Sequence, residues 1–225
     1  MNYTFQFRDV FAASDLLLDG LVLTLELSVV TMVSGLLIGM AGAAGRVYGP
    51  RWVRGPIAAY VEAIRNTPLI VQLFLIFFGL PSAKLIKLDA ETAAYIALSI
   101  NLGAYSIEIV RAGLEAIPKS QIEAGQSLGL SSFQIFRYIV IFPALRLMFP
   151  SLTSQFVLLM LATSVVSQIS AQDLFHMASI IQSRTFRDFE VYIVVAGAYL
   201  MLALIFRLLF AGLYQLVFRR PKSNG

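Results

Sequence analysis

Apolar and polar positions separate along this chain into long blocks. A first apolar block covers residues 16–45, and between Leu21 and Ala44 its only charged residue is Glu26. A second runs over about 56–80, with Glu62, Arg65 and Asn66 in its first half. A third covers about 92–111. A fourth covers about 136–170, with Pro143 and Pro150 inside it, and a fifth about 191–217, whose one charged residue is Arg207. At ~1.5 Å per residue, blocks of about twenty residues or more reach across the ~30 Å hydrocarbon core of a bilayer. The blocks are continuous rather than alternating with period two, which predicts helices and argues against barrel strands. The expectation is an all-α polytopic membrane protein. It is one domain over residues 1–225, with five transmembrane helices at those positions and a loop over about 112–135 between the third and fourth. The second and fourth blocks also admit a reading as re-entrant or interfacial helices.

Composition agrees with the pattern. Apolar types make up 58% of the 225 residues and charged types 13%, against about 45–50% and about 25% in a soluble domain. A water-soluble body of this size has no interior large enough for so much apolar surface. There is no cysteine, which excludes disulfides, zinc-thiolate sites and iron–sulfur clusters, and the single histidine, His176, argues against an imidazole-based metal site or a Ser/His triad. The flank before the first block has one base, Arg8, against Asp9, Asp15 and Asp19, and no small-residue cleavage site follows, so a span is expected rather than a signal peptide.

The bases are placed unevenly. Arg46, Arg51 and Arg54 follow the first block, Arg111, Lys119 and Arg137 the third, and Arg219, Arg220 and Lys222 the fifth. The other side holds Arg8, Lys84, Lys87, Arg184 and Arg187 among eight carboxylates. The positive-inside rule then puts the N-terminus outside, the C-terminus in the cytoplasm, and the 112–135 loop on the cytoplasmic face. The net charge of +4 thus speaks of orientation, and no nucleic-acid partner is expected.

That loop carries the most information. Ser120-Gln121-Ile122-Glu123 has the form of a capping box, Gly129 offers a C-terminal stop, and Ser131 or Ser132 can cap the next helix. A short amphipathic helix is therefore expected in the loop. Such an element docks in a partner's groove or lies on the lipid surface. The chain has no GxxxxGK[ST] segment, so it lacks that device for holding ATP phosphates, and ATP-driven transport would need a separate ATPase chain.

Glu123-Ala124-Gly125, three residues, Gly129, then Ile139 and a following proline resembles the EAA loop of ABC importer permeases. The third position is Gly125 instead of the usual Ala, and the proline stands one place late, at Pro143. Further segments resemble the polar amino acid branch of that family, the histidine/glutamine permease type: Asp19-Gly20 with LVLTLELS, Arg65-Asn66-Thr67-Pro68-Leu69 running on to Phe74, Phe78-Gly79-Leu80-Pro81, and Gly103-Ala104-Tyr105-Ser106-Ile107-Glu108 with Arg111, Gly113 and Gln121. The resemblance covers about residues 16–215. It implies a transport subunit of a bacterial inner membrane, itself no enzyme, that binds no cofactor. ATP and Mg would sit on two copies of an ATPase, and a periplasmic or extracellular solute-binding protein would deliver a polar amino acid or a derivative such as an opine. The coupling surface would be Ser120, Gln121, Glu123, Ala124, Gly125, Ser127, Leu128 and Gly129. An ATP-independent carrier or channel subunit is the alternative, although the EAA loop has no use there.

Polar groups at membrane depth are costly and default to function or to internal pairing. The candidate pathway is Thr67, Pro68, Leu69, Gln72, Tyr105, Glu108, Gln155, Thr163, Ser164 and Gln168, with Pro68 breaking the second helix and freeing backbone groups. The structural alternatives are an ion pair of Glu108 with Arg111, one of Arg65 with Glu62, and Gln155 packed on a partner permease. In relatives that take up basic amino acids, a Glu and a Lys-Asp pair on the fourth helix stand where this chain has Gln155, Leu161 and Ala162. Two explanations fit the loss of all three charges: a heterodimer whose partner carries the charged site, which is favoured, or a site in a homodimer for a less charged ligand.

Overall fold

The structure, a computed structural model, describes residues 4–218, and among these every regular element is a helix. In chain order they are α1 (Arg8–Ala12), α2 (Ser14–Tyr48), α3 (Arg51–Arg65), α4 (Leu69–Ser82), α5 (Ala90–Glu115), α6 (Lys119–Ser127), α7 (Ser132–Ile169), α8 (Leu174–Thr185) and α9 (Asp188–Phe218). Four of them, α2, α5, α7 and α9, are long and apolar enough to cross a membrane, and α3 with α4 makes a fifth crossing if the bent pair is one span. The bases Arg219, Arg220 and Lys222 lie outside the described residues.

The 56–80 block is interrupted at Pro68, as expected of a proline inside it. α3 stops at Arg65, α4 restarts at Leu69, and the two axes meet at 108°. Pro68 is the cause: it has no N–H to donate, and its ring pushes Thr67 out of the helical region. Pro68 itself is extended (ψ 140°) and stands at the N-cap of α4. The two prolines of the fourth block act differently. α7 runs through Pro143 and Pro150 without a break, with a π-helical stretch at Ile135–Val140 just ahead of Pro143. A wider turn there moves the carbonyls that the proline ring would otherwise strike. The last turns of α7, Thr163–Ile169, tighten to a 3-10 helix that ends at Ser170, which has a left-handed backbone (φ 63°).

The centre of the fold is the contact of α2 with α5, which run parallel. Gly35 faces Leu102 and Gly39 faces Ser106. A Cβ on Gly35 would lie 2.7 Å from the Leu102 side chain; one on Gly39 would overlap Ser106 Cβ and lie 3.1 Å from the Ser106 backbone carbon. Lipid tails are as apolar as leucine, so the helices gain by close backbone approach, which small residues permit. Leu27, Leu98, Leu102 and Met160 are buried around this seam. α9 lies on the outside, and its Leu200, Leu204, Leu208 and Leu216 are exposed, as expected of a helix apolar on all sides in lipid.

A second seam closes the bundle at the end away from α6. Asp173 is fully buried and caps α8, accepting from the backbone N–H of His176 (3.0 Å) and Phe175 (3.3 Å) and from the Tyr199 hydroxyl (3.2 Å). Gly20 of α2 lies under its backbone: a Cβ there would be 2.8 Å from the Asp173 carbonyl oxygen. Thr24 Oγ1 accepts from Leu174 N at 3.1 Å. Burial pushes the Asp173 carboxyl up to about 6, although its three hydrogen-bond donors act to lower it.

Two outcomes follow from these contacts. Gly39→Leu is expected to force α2 and α5 apart at a cost of about 1–3 kcal/mol, seen as a lower Tm of the purified protein; an unchanged Tm would refute the seam. A carboxyl with a raised folded pKa holds a proton that the unfolded chain lacks, so its contribution to stability is full below the ordinary value of 3.8 and is lost as pH rises through about 6. Asp173→Asn should therefore flatten the fall of Tm between about pH 4 and pH 7, and an equal slope in both proteins would exclude this group as its source.

Candidate functional site

The 112–135 loop folds into α6, a nine-residue helix. The expected capping box at Ser120 and Glu123 is not formed. Pro118 occupies the N-cap, and no side chain caps the helix. Helix entry is set by the rigid φ of Pro118 instead. The capping box lies at the start of α7: Ser131 Oγ accepts from Gln134 N (3.3 Å), and Gln134 Oε1 accepts from Ser131 N (2.8 Å). Gly129 does stop α6. Its φ of +75° is the left-handed state that glycine tolerates, and the pair Leu130 N to Gly125 O (3.1 Å) and Gly129 N to Gln126 O (2.9 Å) completes a Schellman motif.

One face of α6 is seated and the other is free. Gly125 is buried on α7, where a Cβ would meet the side chains of Ile139 and, at 3.2 Å, Ile135. The Ile of the loop motif is thus the seat of the helix. Ser120, Gln121, Glu123, Ala124, Ser127, Leu128 and Gly129 are exposed, Leu128 to 80%. Ser127 Oγ donates to the Glu123 carbonyl (3.0 Å).

Next to this loop, Glu108 of α5 gathers three arginines from three helices. Arg111 reaches it at 2.8 Å, Arg46 at 3.5 Å and Arg65 at 3.8 Å, and Arg111 also pairs with Glu115 at 2.6 Å. The expected Arg65–Glu62 pair is replaced: Arg65 turns to Glu108 and lies over the Tyr105 ring, 5.3 Å from its centroid. A cleft of about 500 Å³ opens beside the cluster, lined by Arg65, Tyr105, Glu108, Ser151, Ser154 and Gln155, among others. Three of the candidate pathway residues, Tyr105, Glu108 and Gln155, therefore meet in one cleft on the α5–α7 face.

A second group gathers at the α3–α4 break. The Gln72 side-chain N–H group donates to the carbonyls of Ile64 (2.7 Å) and Thr67 (3.0 Å) and to Thr67 Oγ1 (2.9 Å), and its oxygen accepts from Asn101 (3.0 Å). Gln72 thus closes the Thr67 carbonyl and adds to the bond that the Ile64 carbonyl takes from Thr67 N (3.4 Å), with Thr67, Pro68 and Leu69 around it.

The chain matches the family model described as binding-protein-dependent transport system inner membrane component over residues 35–223. It belongs to that family. The glutamine transport system permease protein GlnP of Escherichia coli (strain K12) is 36% identical over 203 residues, covering 89% of this chain and 92% of GlnP. The octopine transport system permease protein OccM of Rhizobium radiobacter is 32% identical over 216 residues, covering 92% and 88%. A crystal structure of an amino acid ABC transporter with histidines superposes with a TM-score of 0.88 at 35% identity, over 95% of this chain and 99% of that one.

As a binding-protein-dependent inner membrane component, the chain is a membrane-spanning transport subunit. ATP hydrolysis belongs to a separate ATPase, and a solute-binding protein is a further partner. The third group of pathway candidates stands apart from the cleft, at the 3-10 end of α7. Thr163 is buried and its hydroxyl donates to the Met160 carbonyl (2.7 Å); the Ser164 hydroxyl donates to Leu161 O (2.8 Å); Gln168 is exposed. Sequence reasoning did not find the Arg46 and Arg65 partners of Glu108, nor Asn101 and Asp173. Of these, Arg65 carried a signal: an arginine inside an apolar block needs a partner, which the sequence offered as Glu62 and the fold supplies as Glu108.

Glu108→Gln is expected to leave three guanidinium groups without their shared counter-charge. The Glu108 side chain retains 22% exposure, so the cost is expected at about 1–2 kcal/mol, below that of a fully buried pair. Thermal unfolding of the purified subunit checks this, and an unaltered Tm would reduce the cluster to a surface pairing.

Proposed function

We propose that this chain forms one half of the membrane pore of an ATP-driven importer for a polar amino acid or an amino acid derivative such as an opine. The observation that carries this reading is α6, whose seated face holds it on α7 at Gly125 while its free face is turned to solvent. A helix of nine residues is too short to be stable alone, so its rigid seating passes a push on the free face directly into the span. In this reading Ser120, Gln121, Glu123, Ala124, Ser127, Leu128 and Gly129 meet an ATPase subunit, which binds ATP and Mg, with two ATPase copies per complex. The similarity to permeases named for glutamine and octopine supports the substrate class.

The excess of bases near α6 supports an N-terminus outside and α6 in the cytoplasm of a bacterium. Substrate then passes the cleft at Tyr105, Glu108 and Gln155, with Thr67, Pro68, Leu69 and Gln72 at the helix break and Thr163, Ser164 and Gln168 at the outer end. No carboxylate of α7 faces that cleft: Gln155 is neutral, and Leu161 and Ala162 follow it. This supports a heterodimer in which a different permease supplies the charged part of the site.

Purification of the tagged chain from its native membrane, with mass identification of the proteins that accompany it, tests the assembly. An ATPase and a second, different permease are the expected result; an ATPase alone would replace the heterodimer by a homodimer, and no ATPase would refute the coupling role of α6. In reconstituted vesicles, Glu123→Ala and Gly129→Val should lower ATP-driven uptake of labelled amino acid at least about tenfold, the equivalent of ~1.4 kcal/mol of coupling, while the Glu123→Ala protein keeps its Tm. Full uptake by both variants would contradict the proposal.

A further inference from the structure

A second cleft, of about 300 Å³, lies between α7 and α9 on the outside of the bundle. Phe149 and Val157 of α7 and Phe210 and Tyr214 of α9 form its walls, and Arg207 of α9 lines it. Arg146 of α7 stands at its other end, its Nε 3.5 Å from the Tyr214 hydroxyl. Among the described residues, no carboxylate lies within ion-pairing distance of either arginine, and none lines the cleft.

The depth of these groups gives the cleft its chemistry. α9 has 31 residues, about 46 Å at ~1.5 Å per residue, which exceeds a ~30 Å core. Twenty residues counted from Val191 end at Phe210. Arg207 therefore lies about one turn inside that boundary and Tyr214 about one turn beyond it, near the level at which tyrosine side chains gather and from which an arginine turns its head outward. The neighbouring face of α9 exposes Leu204, Leu208 and Leu216, as a lipid-facing surface does.

We infer that the α7–α9 cleft is a binding site for an anionic phospholipid of the leaflet on the α6 side. Arg207 and Arg146 supply the positive charge that draws the phosphate, and an acyl chain lies along Phe149, Val157 and Phe210. Basic pockets between membrane helices bind anionic headgroups in this way. Charge complementarity selects this occupant over a second permease: two guanidinium groups without a carboxylate partner meet mobile phosphates here, whereas a protein partner would have to bury carboxylates in an otherwise apolar face. The lipid holds α9 against the stem of α7 that also seats α6.

The test uses the intact transporter, permease with its ATPase, in nanodiscs of equal parts phosphatidylglycerol and phosphatidylcholine. Native mass spectrometry after detergent release should show retained phosphatidylglycerol exceeding phosphatidylcholine by at least about fivefold, the contribution of one arginine at a membrane surface. In the R146Q/R207Q protein the ratio should fall to near one. Equal retention of the two lipids by the unaltered protein, or a preference that survives in the double variant, would overturn the site. Should the variant fail to assemble, photoactivatable phosphatidylglycerol on the unaltered complex serves instead, with crosslinks expected in peptides containing residues 149–157 and 207–214. Crosslinks elsewhere only would show that lipid does not occupy the cleft.

Discussion

The parallel contact of α2 and α5 governs the rest of this protein. Where no water is present to be released, two helices are held by the number of atoms they bring together, and Gly35 and Gly39 let the backbone of α2 reach Leu102 and Ser106 directly. That register has consequences at both ends. Two turns beyond Gly39, Arg46 comes within reach of Glu108 on α5. In the other direction, Gly20 and Thr24 of α2 provide the surface on which the Asp173 turn rests. A single seam of small residues therefore sets the position of the arginine cluster at one end and of the buried carboxylate at the other.

The other constraint is that a backbone inside a membrane has to satisfy its own polar groups. The bend between α3 and α4 looks like a violation and is not one. Pro68 has no N–H to leave unpaired, and Gln72 covers the carbonyls of Ile64 and Thr67 with one side-chain amide while Asn101 occupies its oxygen. Pro143 is absorbed by wider turns just before it, so α7 stays one rigid rod from the seat of α6 to Ile169. One proline ends a helix and another does not: wider turns stand ahead of Pro143, whereas at Pro68 the helix stops and Gln72 covers the carbonyls at the break.

The loop motif gains a physical meaning from its packing. Ile139 is the floor under Gly125, Gly129 turns the chain with a left-handed backbone, and Pro118 enters the helix with a fixed φ. The residues between them are left facing outward. Ser120 and Glu123 look like a cap in sequence, yet the helix begins two residues too early for them to pair, and they join the exposed face. The same four-residue pattern, Ser131 to Gln134, makes the cap one helix later. Local patterns of this kind state what a segment is able to do; which of two equivalent segments does it depends on where the neighbouring proline sets the first turn.

By itself the sequence determined that this is a helical membrane protein, where its apolar blocks lie, which loop carries the family motif, and which family it belongs to. These are properties of local composition and short spacing, and lipid solvation acts on them residue by residue. The tertiary structure alone decided the 108° angle at which the helices meet at Pro68, that Arg65 turns from Glu62 on its own helix to Glu108 on another, and that Asp173 is buried under Tyr199. Each of those outcomes pairs groups from different helices. Such pairs depend on the distance between rods, and that distance comes from the seam of small residues on α2 and α5, not from any one segment of the chain.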